Sequence, residues 1–303
     1  MRSGSDFPIV LRQNSSHDSW SDPQRLRGSD VRAWLAAHPV AGFVLLAFGI
    51  SYLLGIPFLV FVSGAIPPRL PLTRLYAPRL LIVYGPAIAA LIMTSTRGRG
   101  LRPLLSKLVP TRSDLVAGAG IMSAGIVIAA GGLLASGVGV ATAWMSVRTN
   151  AGLFLAHVVL QLLCIAAGEE VGWRGWLLPV LASRMSRLRA TLVTAAIWTL
   201  WHGPRLIDRP AAVALFAVSV FGLSFVFTWL WSQARHRLFP VIVAHAIVNA
   251  PMFFLQQAGV LAPERLASGW MMIHVIYTIL GVTLVMRRRE WWSEAEGASD
   301  RLR

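Results

Sequence analysis

Eight apolar runs of about 20 residues follow one another through most of this chain, at roughly 40–62, 79–96, 114–136, 151–172, 190–206, 211–232, 240–257 and 268–286. About 20 apolar residues are what an α-helix needs to cross the hydrocarbon core of a bilayer. In lipid each backbone polar group must be paired inside the protein, so such runs fold as helices and not as open sheets. The expectation is an all-α, polytopic membrane helix bundle with about eight transmembrane helices. Composition agrees, with 55% hydrophobic and only 14% charged residues over 303 positions; soluble domains carry about 25% charge. The runs at 79–96 and 190–206 are short, and the one at 151–172 is expected to continue past the membrane core to about residue 182. Pro57 and Pro86 fall inside runs, which membrane helices tolerate when neighbours satisfy the freed carbonyl.

A formal net charge of +15 would suggest nucleic acid in a soluble chain. Here the basic residues, all Arg except Lys107, lie mostly in the gaps between apolar runs, where membrane topology places them. No nucleic-acid partner is expected; the lipid bilayer is. With the N-terminus inside, cytoplasmic segments hold 16 basic residues, in groups such as Arg97–Arg112, Arg184–Arg189 and Arg287–Arg289. The opposite side holds 7: Arg69, Arg74, Arg79, Arg148, Arg205, Arg209 and Arg265. Both termini are therefore expected in the cytoplasm, with the protein in the plasma membrane of a prokaryote. Residues 1–37 lack an apolar core and read as a disordered cytoplasmic tail, 38–290 as one helical domain, and 291–303 as a second cytoplasmic tail. Cys164, the single cysteine, rules out an internal disulfide.

Within this apolar background "AAGEEVGWRGWLL", residues 167–179, places three charges where lipid-compatible side chains are expected. An ionisable side chain in a membrane helix costs at least about 2.5–3.5 kcal/mol on insertion scales, so it normally has a partner and a task. Glu170 and Arg174 are four apart and share a helix face, which suits a salt bridge. Glu169 points about 100° away, out of easy reach of the same arginine. A desolvated carboxylate without a counter-ion is a candidate general base.

Two further runs carry compatible groups. "AAIWTLWHGP", 195–204, sets Trp198 and His202 four apart; "VIVAHAIVNAP", 241–251, does the same for His245 and Asn249. These groups occupy three helices and are expected to converge on one polar cavity. His157 lies twelve residues before Glu169, about 18 Å along a straight helix, and is expected to stay outside it. His274 is alone in the last run, and His17, His38 and His236 fall in tails or loops; all five read as non-catalytic. Hydrolysis of a peptide bond needs an activated water, a stabiliser for the tetrahedral oxyanion, and a proton for the leaving amine. Glu169 with His202 can hold and deprotonate water, while His245 and Asn249 can donate to the oxyanion. Glu169, His202 and His245 could instead bind Zn²⁺, although the compact H-E-x-x-H signature is absent. No required cofactor is the favoured expectation, with Zn²⁺ as the alternative.

The set E-E-x-x-x-R, then aromatic-x-x-x-H, then H-x-x-x-N, in that order among eight apolar runs, resembles the CAAX prenyl endopeptidase type II family. Its members are also called CPBP or abortive-infection-like intramembrane proteases. "RGWLLP" after the glutamates and "YGPAIAALI", 84–92, look like the family's sequences too. The resemblance implies an intramembrane endopeptidase over residues 38–290, acting on a membrane-anchored or lipidated, CAAX-type substrate. It implies Glu169 as base, His202 positioning the water, His245 and Asn249 as oxyanion site, and Glu170 with Arg174 as supporting structure. Trp198 stands where the family usually has phenylalanine, which keeps an aromatic wall and changes pocket volume, so it bears on substrate size. Two other readings fit the sequence. One is a non-catalytic membrane scaffold or regulator of the same fold. The other is a proton-coupled transporter, although no inverted repeat is visible.

Overall fold

The computed structural model describes residues 23–96, 98, 100–203 and 210–296. They form a helical bundle: α1 (Pro23–Ala37), α2 (Pro39–Ala65), α3 (Pro71–Thr96), α4 (Arg112–Ala135), α5 (Val140–Thr149), α6 (Ala151–Ala182), α7 (Arg187–Trp201), α8 (Pro210–Gln233), α9 (Phe239–Gln257), α10 (Pro263–Arg287) and α11 (Arg289–Ser293). No strand occurs among the described residues; Ser186 and Ala295 make an isolated β-bridge.

Among the described residues seven helices are long and apolar enough to cross a bilayer: α2, α3, α4, α6, α8, α9 and α10. The chain is an integral, polytopic membrane protein. The eighth expected crossing, 190–206, is α7, a helix of 15 residues. At 1.5 Å per residue it is about 22 Å long, short of the roughly 30 Å hydrocarbon core. One face of α7 is buried through Ala190, Thr194, Ala195, Trp198 and Trp201, and the other exposes Leu192, Val193 and Leu200. Counting α7 as a crossing brings both termini to one side; without it they lie on opposite sides. Arg205 and Arg209, part of the charge reading, lie outside the described residues, as do 1–22 and 297–303.

Part of the segment read as a disordered tail is ordered. The helix α1 leads into α2, with Leu35 buried, and Arg32 donates to the carbonyls of Thr96 and Ser95 at 3.3 and 3.4 Å. Those carbonyls end α3, where Ser95 O also accepts from Gly98 N at 3.1 Å, and a guanidinium suits them in charge and geometry. The C-terminal segment is also docked. Arg187 donates to Glu296 at 2.8 Å and to Glu294 at 3.3 Å, and His236 meets Glu296 at 2.9 Å. The hydrogen bond from His236, aided by Arg187, holds the Glu296 carboxyl at about 2, so this clasp keeps its charge at physiological pH.

The centre of the bundle is α9, buried almost throughout from Pro240 to Leu255. It packs against α4 and α6, while α6 also packs against α3 and α7 against α8. Close approach of α6 to α3 depends on two glycines, as small residues commonly allow between membrane helices. A Cβ at Gly168 would lie 2.7 Å from the Val83 carbonyl oxygen, and one at Gly172 would lie 2.7 Å from that of Pro86. Gly172→Ala should therefore force the helices apart, at a cost of about 1–3 kcal/mol. Thermal unfolding in detergent reads this as a lowered midpoint; an unchanged midpoint would mean that the contact is loose.

Pro86 supplies the other constraint. It has no N–H for the Ile82 carbonyl four residues back, and Ser51 fills that role, its hydroxyl donating to Ile82 O at 2.7 Å. Ser51 lies in a wide, π-type turn of α2, Gly49–Leu54, and accepts from Trp201 Nε1 at 2.9 Å. Tyr52 of the same turn hydrogen-bonds the Trp201 carbonyl. A missing N–H in α3 thus organises α2, which in turn pins the end of α7, where His202 sits.

Candidate active site

The carboxylates stand on a short α-helical stretch of α6, Ala167–Gly172, between wide turns at Gln161–Ala166 and Trp173–Leu177. Such π-type turns are rare inside helices and recur at functional sites, because they rotate the following residues out of the regular register. The second wide turn is braced from outside, where Lys107 Nζ donates to the Gly175 carbonyl at 3.1 Å. Burial lowers the Lys107 ammonium below the usual lysine value.

The two carboxylates have different surroundings. Glu170 is fully buried; Arg174 Nη1 donates to both its oxygens at 3.1 Å, and His245 Nδ1 lies 2.7 Å from Oε1. Arg174 also donates from Nη2 to Ser224 Oγ at 3.2 Å. Its guanidinium lies over the rings of Trp198 and Phe227, 4.4 and 5.0 Å from their centroids. Its Nε is buried without a hydrogen-bond partner, and the two ring faces compensate part of that loss. Glu169 is 4% exposed. Among the described residues its hydrogen-bond partner is Trp198, whose Nε1 donates to Oε2 at 2.7 Å.

Both histidines are oriented through Nδ1. His202 Nδ1 lies 2.8 Å from the Trp198 carbonyl, and that oxygen can only accept, so Nδ1 carries the proton. The neutral ring then has its lone pair on Nε2. The carboxylate of Glu170 fixes the same assignment for His245. Trp198 sits between the two rings, 5.7 Å from each, while His202 also contacts Trp201 and Phe216.

The structure therefore gathers Glu169, Glu170, Arg174, Trp198, His202 and His245 around one indole. Asn249 is tied elsewhere, its Nδ2 donating to Gln161 Oε1 at 3.4 Å. His157 does not contact the carboxylates, but it is linked to Asn249 through Tyr76 and Gln161; the straight-helix separation did not anticipate that route. Trp198 corrects a second expectation. Its indole N–H reaches the Glu169 carboxylate, a bond phenylalanine cannot make, so the substitution bears on chemistry as well as on pocket volume.

Glu169, His202 and His245 do not fit a Zn²⁺ site as they stand. Among the described residues no group of three or more His, Cys, Asp or Glu side chains is placed to hold a metal ion. His245 Nδ1 is turned to Glu170, which is outside that trio.

Ser224, Phe227, Gln161 and Tyr76 were not singled out by the sequence. Ser224 and Gln161 had a usable signal, since each is an uncharged polar residue inside an apolar run. Phe227 had none, because an aromatic ring facing a guanidinium reads in sequence as one more apolar residue. Chemically, the site holds a nearly buried carboxylate and an imidazole that share one indole neighbour, and a second imidazole backed by an ion pair. Such a set can take a proton from water and give one to a leaving group.

Residues 151–251 match the family model of the type II CAAX prenyl endopeptidases, Rce1-like. That segment contains Glu169, Glu170, Arg174, Trp198, His202, His245 and Asn249. The chain is also 30% identical over 103 residues to a protein named CAAX prenyl protease 2 from Methanococcus maripaludis. The alignment covers 30% of this chain and 38% of that relative's length. Both names denote a peptidase, and both are those of the family that the three motifs resemble.

Proposed function

We propose, on the premise that residues 151–251 are similar to type II CAAX prenyl endopeptidases, that the chain is an intramembrane endopeptidase. Its substrate is a membrane-associated, lipidated protein or peptide of CAAX type, cleaved by water activated at Glu169. The observation that carries this reading is the unequal treatment of the two carboxylates. Glu170 is neutralised by Arg174 and engaged by His245, whereas Glu169 receives one indole N–H and retains the capacity to accept a proton.

Water held between Glu169 and His202 gives up a proton to the carboxylate as its oxygen adds to the scissile carbonyl carbon. The developing oxyanion is met by His245 and Asn249. Because the His245 Nδ1–H is hydrogen-bonded to Glu170, donation from Nε2 requires the cationic ring, with Glu170 as its counter-ion. Collapse breaks the C–N bond, and the proton on Glu169 passes to the leaving amine. The surrounding helices exclude bulk water, which strengthens each of these interactions. Both termini lie in the cytoplasm in this reading, α7 counting as a crossing, and the membrane is a prokaryotic plasma membrane.

Trp198→Phe tests the support of the base. It keeps the aromatic wall and removes the N–H, so kcat should fall about tenfold, as expected for loss of a hydrogen bond to a charged group. KM on a peptide substrate should change little. A change in KM alone would make Trp198 a wall of the substrate pocket and nothing more.

The metal question is tested by assaying the purified protein with and without a chelator. The glutamate mechanism predicts unchanged cleavage. Loss with chelator and recovery on adding zinc would move Glu169, His202 and His245 to metal ligation.

A further inference from the structure

Beside the charged cluster runs a second buried polar chain, built from α3, α6 and α9. Asn249 Nδ2 donates to Gln161 Oε1 at 3.4 Å, Gln161 Nε2 donates to Tyr76 Oη at 3.2 Å, and Tyr76 Oη lies 2.9 Å from His157 Nδ1. Tyr76, Gln161 and His157 are 3%, 2% and 0% exposed. Beyond His157, at the end of α9, lies Gln257. His157 Nε2 and Gln257 Oε1 are both buried, and neither makes a hydrogen bond among the described residues.

The direction of the chain follows from its middle. The tyrosine oxygen accepts from the Gln161 amide nitrogen, so its own hydrogen is turned to His157 Nδ1, which accepts it. With its nitrogen on Tyr76, Gln161 turns its oxygen toward Asn249, where it meets Nδ2. A carboxamide is nearly symmetric in shape, and only its partners decide which end is N–H₂. Here they decide that Asn249 gives one N–H to Gln161, keeping its second for the cavity. Gln161 opens the wide turn Gln161–Ala166 that leads into the glutamates, so one irregularity of α6 serves both the carboxylate and the carboxamide.

We infer that Gln161, held by Tyr76 and His157, is a positioning residue that fixes the Asn249 carboxamide with an N–H aimed at the reacting carbonyl oxygen. This rests on the endopeptidase reading above. A buried hydrogen-bonded chain of this kind favours one geometry and resists rotation of the carboxamides within it.

The test is a double-mutant cycle on the full chain in detergent, with Gln161→Leu, Asn249→Ala and both together, assayed on a prenylated CAAX peptide and by thermal unfolding. Asn249→Ala should lower kcat by about 10²-fold, the usual loss for an oxyanion donor. Gln161→Leu should lower kcat about tenfold with KM unchanged, as misplacement of a catalytic group does. The double variant should be no slower than Asn249→Ala alone, because Gln161 acts only through the carboxamide. Tyr76→Phe, which leaves the packing and breaks the chain, should lower kcat in the same sense. A wild type that cleaves, with losses in kcat that multiply, overturns the positioning role and leaves the endopeptidase reading standing. A wild type that leaves the peptide intact overturns the endopeptidase reading, and the unfolding cycle then decides Gln161: non-additive midpoint shifts support its hold on Asn249, and additive shifts overturn it.

Discussion

Replacing Glu170 by glutamine is expected to lower the amount of folded protein recovered from the membrane severalfold. The fully buried carboxylate neutralises Arg174, which is equally buried and four residues on. Glutamine fits the space and can still accept a hydrogen bond, but it leaves a guanidinium uncompensated between Trp198 and Phe227. Breaking a buried pair by removing one partner costs about 3–5 kcal/mol. That is a large part of the 5–15 kcal/mol that typically separates folded from unfolded protein. The fraction that does fold should retain some activity, reduced because His245 has lost its counter-ion. Removing the second charge as well, in Glu170→Gln with Arg174→Met, should restore the level, since replacing both partners of a buried pair is often neutral. Membrane protein level and turnover per folded molecule are the two quantities to read. A Glu170→Gln protein that accumulates normally and is inert would exchange the roles assigned to the two carboxylates.

Glu169→Gln should do the opposite. Its hydrogen bond from Trp198 Nε1 can be accepted equally by a glutamine oxygen, and Glu170 still neutralises Arg174. Accumulation should match wild type. Turnover should fall by about 10²–10⁴-fold, the range a positioned general base contributes, because an amide cannot take a proton from water. Immunoblotting of membranes beside a cleavage assay separates the two effects. A protein that fails to accumulate would place Glu169 among the residues that hold the bundle together.

The helices were legible because the lengths and polarity of their runs are imposed by the bilayer; six of the eight expected crossings recur, five with ends close to those expected and α3 with its start eight residues earlier, at Pro71. The helix α2 also recurs but begins directly after α1, since the disorder expected up to residue 37 overlooked Leu35 and the docking of Arg32. Crossing by α7 could not be judged from an apolar run, because a 15-residue helix held among neighbours does not need the full hydrocarbon span. The Glu170–Arg174 pairing followed from spacing alone. What spacing could not supply was the partner on another helix. Nothing in the local pattern says that His245 faces Glu170, that Trp198 lends its N–H to Glu169, or that Asn249 leans on Gln161. Those contacts depend on wide turns at Gln161–Ala166 and Trp173–Leu177, which rotate side chains away from the positions that a regular 3.6-residue period assigns. His157 reaches Asn249 through Tyr76 and Gln161, a route between helices that distance measured along α6 does not report.

The most direct measurement is mass spectrometry of a prenylated CAAX peptide incubated in detergent with the purified wild-type protein, with Glu169→Gln as the matched blank. Glutamate-activated hydrolysis predicts two products whose masses sum to the peptide plus one water, formed by the wild type and absent from the blank. Equal product from both proteins, or none from a wild type that is folded in the same detergent, would contradict it.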